Sequence, residues 1–138
     1  MEIKINNNLS VTEYNNLRNS VGWNSKDPYV VQNAIENSII VKKATVSNKT
    51  IGMARAISDG IYYLIVDVVV SSEYQKKGIG KMLIDEITKE VENKTKKGQT
   101  SSINLVSMKG KEKFYEKCGF KKIPFEYSGY GMIKRIEK

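Results

Sequence analysis

Residues 75–81, QKKGIGK, join an apolar, strand-like run to an amphipathic helix pattern. Gly78 and Gly80 leave one surface of the backbone without side chains, so successive N–H groups can converge on one point. The helix that begins there adds about half a unit of positive charge at its N-terminus. Three lysines surround the loop. The segment therefore predicts an anion site, with phosphate as the usual occupant; a glycine turn that lets helix and strand pack closely is the alternative.

The residue types and their spacing exclude several other kinds of site. A P-loop needs G-x-x-x-x-G-K-[ST], and a dinucleotide fingerprint needs a third glycine where Leu83 stands. The chain has no histidine and one cysteine, Cys118. A His-based triad and the usual Cys/His zinc sites are therefore impossible, and no metal is expected. For Cys118, a small buried side chain is favoured over a nucleophile.

The composition limits the partners of this chain. Twenty-three Lys and Arg against 15 Asp and Glu give a net charge of +8, but the lysines are spread along the chain without a basic arm. This distribution favours a small polyanionic ligand over nucleic acid, which is not expected as a partner. The absence of a long apolar run or signal pattern predicts no membrane partner, and a single cysteine fits the cytoplasm.

The sequence pattern predicts one α/β domain over residues 1–138. Ser10 and Glu13 form a capping-box pattern at the start of one helix, and Asp27-Pro28 marks the start of a second. The predicted strands cover residues 2–5, 39–47, 50–57, 61–70, 102–108, 121–127 and 130–137.

Two further helices are expected in the second half of the chain. A short one, in GKEKFYEKCGF, ends at Gly119. A longer one covers about residues 77–95. Its apolar stripe predicts a buried face made of Ile79, Met82, Leu83, Ile87 and Val91.

Two segments resemble the hallmarks of the GNAT N-acetyltransferase superfamily. VDVVVSSEYQKKGIGKMLIDEI is similar to its acetyl-CoA motif, an apolar strand followed by Q/R-x-x-G-x-G/A at the start of a helix. FYEKCGF is similar to its second hallmark, a helix that ends in fYek-GF, and follows at the expected distance. Two departures stand out: Ser72 replaces a usual proline, and Met108 and Lys111 replace a frequent Asn and Ala.

The resemblance implies a fold and an activity. The expected fold is a mixed, mostly antiparallel central sheet of six to seven strands, splayed between strands four and five and flanked by about four helices. The expected activity is transfer of the acetyl group from acetyl-CoA, a co-substrate, to a primary amine of a small molecule or protein. Many members pair as dimers, so a homodimer stays open. A CoA-binding or CoA-sensing module without catalysis is the alternative.

The resemblance also implies roles for particular residues. Backbone amides of residues 75–80 would hold the CoA pyrophosphate, and the backbone of Val68 and Val70 would pair with the pantetheine arm. The N–H near Val68 would polarise the thioester carbonyl, and Tyr115 would donate a proton to the departing thiolate. The expected CoA-binding residues are Val68, Val69, Val70, Gln75, Lys76, Lys77, Gly78, Ile79, Gly80 and Lys81. Whether Lys111 or Met108 replaces the usual asparagine contact stays open.

The acceptor side is less defined. Asp67 is the one charge in the run 61–70. It either acts on the substrate, by drawing a cation or relaying a proton through water, or pairs with Arg55 across a hairpin. Trp23 and Tyr29 lie in or beside a segment that often roofs the acceptor pocket in this superfamily, and both are expected to line it. The identity of the amine and of the general base stays open.

Overall fold

The computed structural model describes residues 1–138, with five strands, four α-helices and one 3₁₀ turn. The strands are β1 (Lys4–Asn6), β2 (Ile40–Val46), β3 (Lys49–Ser58), β4 (Tyr62–Val70) and β5 (Ser102–Asn104). The helices are α1 (Val11–Ser20), α2 (Pro28–Glu36), α3 (Ile79–Lys94) and α4 (Glu112–Lys117), and the 3₁₀ turn is Ser72–Tyr74. No helix combines the length and apolar composition needed to cross a bilayer.

The sheet has the order β1-β2-β3-β4-β5. The first four strands pair antiparallel, and β5 pairs parallel to β4, so the predicted mixed and mostly antiparallel sheet is confirmed. The prediction of six to seven strands is wrong, because residues 121–127 and 130–137 form none. Their large side chains are open to solvent, with Tyr127 94% and Met132 96% exposed. A strand pattern without a buried face or a pairing partner does not hold a ladder.

The chain divides into two compact units, Met1–Leu105 and Val106–Lys138. The first contains the whole sheet and helices α1 to α3, and the second contains α4. The expectation that residues 1–138 form one domain stays a prediction.

The local signals for helix starts are confirmed. The Ser10 hydroxyl accepts from the N–H of Glu13, and the Glu13 carboxylate accepts from the N–H of Ser10, which completes the capping box of α1. At α2, the Asp27 carboxylate accepts from two N–H groups of the first turn, and Pro28 takes the first helical position.

The two faces of the sheet carry different helices. Gly52 of β3 faces α3, where an added Cβ would lie 3.2 Å from a Leu83 methyl carbon, so a side chain there would crowd the helix. Its neighbour Met53 faces the other side, because successive strand residues alternate, and packs there with side chains of α1 and α2.

The predicted buried face of α3 is mostly confirmed, with one correction. Ile79, Leu83, Ile87 and Val91 are buried, but Met82 is 37% exposed. Ile84 is fully buried in its place. Met82 and Ile84 flank Leu83 on opposite sides of the helix, and the sheet covers the side that carries Ile84.

Glu13 also ties α1 to the sheet. Its carboxylate accepts from Lys43 on β2 at 2.9 Å and from the hydroxyl of Thr50 on β3. Partial burial favours the neutral acid. Hydrogen bonds from Thr50, Lys43 and Ser10 outweigh that effect and lower the pKa of Glu13 from 4.5 to about 2.

We expect Glu13→Gln to lower the free energy of unfolding at pH 7 by about 2 kcal/mol, because it removes a partly buried ion pair. Since the folded-state pKa is depressed, this stabilisation is present above pH 4.5 and is lost as pH falls towards 2. Urea unfolding at several pH values measures the difference. The control is Glu92→Gln on the exposed side of α3. A Glu13→Gln deficit that stayed constant down to pH 2.5 would contradict this account.

Candidate active site

Strand β4 carries one extra residue near its middle. Met53 pairs with Val69 and Arg55 pairs with Val66, so three steps along β4 match two along β3. Asp67, inside this bulge, has a left-handed backbone with φ +52°. A bulge bends a strand and redirects its side chains, and bulges concentrate beside active sites.

The bulge turns Asp67 towards α1. Val66 pairs with Arg55, so it shares the sheet face of Arg55 and Met53, beneath α1 and α2. In a regular strand the next residue, Asp67, would point to the opposite face, where α3 packs. The Asp67 carboxylate instead accepts from the Tyr14 hydroxyl of α1 at 2.6 Å.

Three side chains hold the Asp67 carboxylate. Besides Tyr14, the Nε of Arg55 donates to Oδ2 at 2.9 Å, and Nη1 of Arg18 lies 3.6 Å from Oδ1. Both arginine side chains are 13% exposed and Asp67 is 14% exposed. The pairing with Arg55, one of the two sequence alternatives, is thus formed. Substrate binding by Asp67 stays a prediction, and both carboxylate oxygens already face guanidinium groups.

Tyr14 was not predicted from the sequence as part of a site. Burial, the hydrogen bond to Asp67 and the charge of that carboxylate together raise its pKa. The phenol therefore keeps its proton and remains the donor in the bond to Asp67. Only the pairing of α1 with β4, 53 residues away in sequence, reveals this role.

The second half of β4 has an open edge. β5 pairs only with Tyr62, Tyr63 and Leu64, so no strand follows residues 65–70 on that side. The N–H of Ser71 donates to the carbonyl of Ile51 on β3. The backbone groups of successive strand residues point alternately to one side and the other, so this bond sets the direction of the groups that precede Ser71.

This alternation directs the backbone groups of Val70 away from β3 and towards the open edge. Val68 lies inside the bulge, and the same direction for its backbone stays a prediction. The carbonyl of Val70 accepts there from the side-chain amide of Gln75 at 2.9 Å. The side chain of Val69 is buried in the core, and the same alternation directs its backbone towards β3, so its contact with CoA stays a prediction.

The glycine loop leaves its amides available. No N–H from Gln75 to Gly80 donates a hydrogen bond to another group of the protein, and the first helical bond runs from Met82 to Gly78, at 3.1 Å. Lys76 and Gly78 have left-handed backbones, with φ of +62° and +82°. Left-handed residues before a helix N-terminus form the kind of concave N–H cluster that binds anions. This geometry fits a phosphate ligand.

The lysines around the loop differ in their contacts. Lys77 lies with its Nζ 5.7 Å from the ring centre of Tyr74, as does Lys49 of β3. Lys81 pairs with Asp85 at 2.6 Å, one turn along α3. Lys76 is exposed. The positive charge at the loop therefore comes mainly from Lys76, Lys77 and the helix N-terminus.

The two residues expected to line an acceptor pocket have different surroundings. Trp23, after α1, is partly buried against the core, and the Arg18 guanidinium lies 5.2 Å from its ring centre. Trp23 is thereby connected to the Asp67 cluster. Tyr29, in the first turn of α2, is 75% exposed.

In the second unit, α4 presents Tyr115. The helix ends with Gly119 at φ +97°, and the N–H groups of Gly119 and Phe120 bond back to Glu116 and Tyr115, so the predicted glycine cap is confirmed. The rings of Phe114 and Phe120 contact Tyr115 edge to face, at centroid distances of 4.9 and 6.1 Å.

The Tyr115 hydroxyl makes no hydrogen bond within the protein, and burial, with a smaller effect of Cys118, raises its pKa. Tyr115 is therefore a protonated phenol whose donor is not used by the protein. Lys111, at the start of α4, and Met108 both have exposed side chains. The choice between them as a CoA contact stays open.

Comparison with known proteins gives concordant results. The acetyltransferase (GNAT) domain family model matches residues 34–122. The chain is 33% identical over 124 residues to the uncharacterized N-acetyltransferase ycf52 of Pyropia yezoensis, which covers 86% of this chain and 69% of the relative.

Solved structures agree in fold. A Staphylococcus aureus protein, SA2161, described as a probable acetyltransferase, has a TM-score of 0.82 and 25% identity over 97% of this chain and 100% of that one. The GNAT family protein SP0256 of Streptococcus pneumoniae has a TM-score of 0.79 and 22% identity, and the match covers 99% and 98% of the two chains.

The buried cluster predicts a stability effect. Asp67→Asn keeps the size of the side chain, and asparagine, like aspartate, tolerates a left-handed backbone. The substitution leaves two largely buried guanidinium groups without a carboxylate. We expect the free energy of unfolding to fall by about 3 kcal/mol. Asp85→Asn, which breaks an exposed ion pair of α3, is the matched control and should cost less than about 1 kcal/mol. Equal losses for the two variants in urea unfolding would show that the cluster contributes no more than a surface pair.

Proposed function

Because the chain belongs to the GNAT family of N-acetyltransferases, we propose that it transfers the acetyl group of acetyl-CoA to a primary amine by direct attack in a ternary complex. The observation that carries the proposal is the set of unpaired backbone N–H groups from Gln75 to Gly80 at the start of α3, beside the open edge of β4.

The loop suits the diphosphate of CoA. Its N–H groups and the N-terminus of α3 favour an anion without requiring a side chain, and Lys76 and Lys77 add positive charge at the rim. Two predicted contacts remain. Ile79 would bind the diphosphate through its backbone N–H, and Lys81 would attract it through its charge at longer range. These roles follow from the resemblance and from the absence of internal partners for the loop amides.

The open edge of β4 suits the pantetheine arm. Its amide groups can hydrogen-bond to the outward-facing backbone of Val68 and Val70, as an additional strand would. The N–H of Val68, next to the bulge, then binds the carbonyl oxygen of the acetyl group and stabilises negative charge as it develops there.

The acetyl thioester supplies the group that is transferred. The amine nitrogen bonds to the carbonyl carbon while the carbon–sulfur bond breaks, and the attacking nitrogen gives up one proton to solvent. Tyr115 donates a hydrogen bond to the departing sulfur. An ordinary phenol has a pKa of about 10, above the value of about 8.5 for a thiol. Because the pKa of Tyr115 is raised further, hydrogen bonding with partial proton transfer describes its role better than complete transfer.

Binding and turnover test the proposal separately. Acetyl-CoA at about a hundredfold excess over its Kd should stabilise the protein by about 3 kcal/mol, seen as a higher Tm. Release of CoA thiol with a panel of amines measures turnover. Absence of a thermal shift would refute CoA binding. A higher Tm without turnover of any amine would favour the alternative of a CoA-binding module without catalysis. No structural observation supports that alternative.

We expect Gly78→Ala to raise the KM for acetyl-CoA about tenfold. An added Cβ meets no neighbouring atom, but a left-handed alanine costs about 1 kcal/mol, and relief of that strain redirects the loop amides. Gly98→Ala is a matched control, since Gly98 also has a left-handed backbone, φ +86°, and open space around it. Both variants should lose similar stability. An equal KM effect in the two would argue against a cradle at residues 75–80.

We expect Tyr115→Phe to lower kcat about 10- to 100-fold with little change in the KM for acetyl-CoA, because one hydrogen bond to a charged group is lost. Tyr127→Phe, at a fully solvated position, is the control. Steady-state kinetics from pH 6 to 9 check the result, since the raised pKa keeps Tyr115 protonated throughout this range. An unchanged kcat would remove Tyr115 from the mechanism.

A further inference from the structure

Arg18 is held rigidly beside the bulge of β4. Its Nε donates to the carbonyl of Asn24 at 2.7 Å. Its guanidinium carbon lies 5.2 Å from the ring centre of Trp23 and 5.9 Å from that of Tyr14. The side chain is only 13% exposed. Aromatic faces and one backbone acceptor therefore fix the guanidinium plane before any ligand binds.

The two terminal nitrogens of Arg18 are not saturated by the protein. Nη1 lies 3.6 Å from Asp67, too far for a good hydrogen bond, and Nη2 has no acceptor. Asp67 directs its short hydrogen bonds to Tyr14 and Arg55 instead. No buried side-chain nitrogen lacks a partner, so these unused donors keep access to solvent.

The charges of this cluster do not balance. Arg18 and Arg55 contribute two positive charges against the single negative charge of Asp67, all on side chains that are 13–14% exposed. Because only a small part of the Arg18 side chain reaches solvent, its excess positive charge favours an accompanying anion. Arg55 donates through Nε to Asp67 and through Nη1 to Ser38, whereas Arg18 donates only through Nε, so Arg18 keeps more unused donors than Arg55.

We propose that Arg18 binds an anionic group of the acceptor, which makes the acceptor class a small amine that carries a carboxylate or phosphate. The inference rests on the proposed function. A guanidinium fork matches both anions in a bidentate fashion. Arg18 lies beside Asp67, which directly precedes Val68, the proposed contact of the acetyl carbonyl, so the proposal assigns the anion and the amine of one small molecule to the same part of β4. Polycationic amines are disfavoured by the positive cluster.

Matched amine pairs test this class by CoA release. Phenylalanine and phenylalaninamide differ in the carboxylate, and glucosamine 6-phosphate and glucosamine differ in the phosphate. We expect kcat/KM to be about 10- to 100-fold higher for the charged member of at least one pair. The pair that discriminates tells whether the anion is carboxylate or phosphate. Equal or better use of both neutral members would overturn the proposal.

Substitutions test whether Arg18 causes the preference for the charged amine of each pair. Arg18→Gln should abolish the preference for the charged member and leave the KM for acetyl-CoA unchanged, whereas Arg18→Lys, which keeps the charge without the fork, should retain part of it. Lys26→Gln, which removes an exposed charge from the loop between α1 and α2, controls for general electrostatics and should retain the preference. Loss of the preference in Lys26→Gln as well as in Arg18→Gln would contradict a specific contact.

Trp23 provides a readout that does not need turnover. It is the only tryptophan of the chain and stacks on Arg18, so anion binding should change its fluorescence. With acetyl-CoA present, the charged probes should give a saturable change that Arg18→Gln abolishes, and the neutral probes should give none. No change with any charged probe refutes the anion site even if acetyl-CoA raises Tm and another amine is acetylated. Failure of acetyl-CoA to bind would refute the proposed function instead.

Discussion

A buried carboxylate in the fourth strand is the constraint on which the candidate site depends. Asp67 has a left-handed backbone inside a bulge, and Tyr14 and Arg55 bond to the same carboxylate oxygen. An ordinary strand would direct this side chain towards α3 and its apolar residues, where a charge is costly. The bulge and the cluster therefore support each other: the bulge brings the carboxylate to its partners, and the partners keep the bulge in place.

The same distortion sets the direction of the backbone beyond it. Val70 faces an edge that β5 leaves open after three pairs. An exposed strand edge normally invites unwanted pairing. Here the edge is short, it ends at the Gln75 side chain, and it leads into the glycine loop at the start of α3. An open strand edge and a loop with unpaired amides thus follow one another along the chain, an arrangement that suits one long, anionic, amide-containing ligand.

Close packing of α3 fixes the position of the loop. Gly52 lets the helix approach β3, since a methyl group there would lie 3.2 Å from Leu83 and 3.3 Å from a backbone oxygen of Val69. Gly52 belongs to no recognisable sequence motif, so its role in packing could not be predicted from the sequence. The motif glycine Gly78 has a different task, because its left-handed backbone starts the helix without a side-chain cap and leaves the first amides unbonded.

The sequence by itself determined the features that depend on neighbours a few residues apart. The capping box at Ser10, the glycine cap at Gly119 and the strand–loop–helix motif around Gly78 all arise from local hydrogen bonds or backbone angles. The family resemblance rests on such segments and therefore agrees with the comparisons. The mixed, mostly antiparallel sheet was implied by that resemblance.

Only the tertiary structure decided which distant groups meet. The sequence left two roles open for Asp67, and the pairing of α1 with β4 joined it to Tyr14 and Arg18. The expected strands after residue 120 do not form, because strand propensity requires a partner and a buried face that local sequence cannot supply. Met82 likewise became exposed, since the sheet determines which side of α3 is covered. Burial and long-range pairing are properties of the assembled chain, and they decide where buried charges are placed.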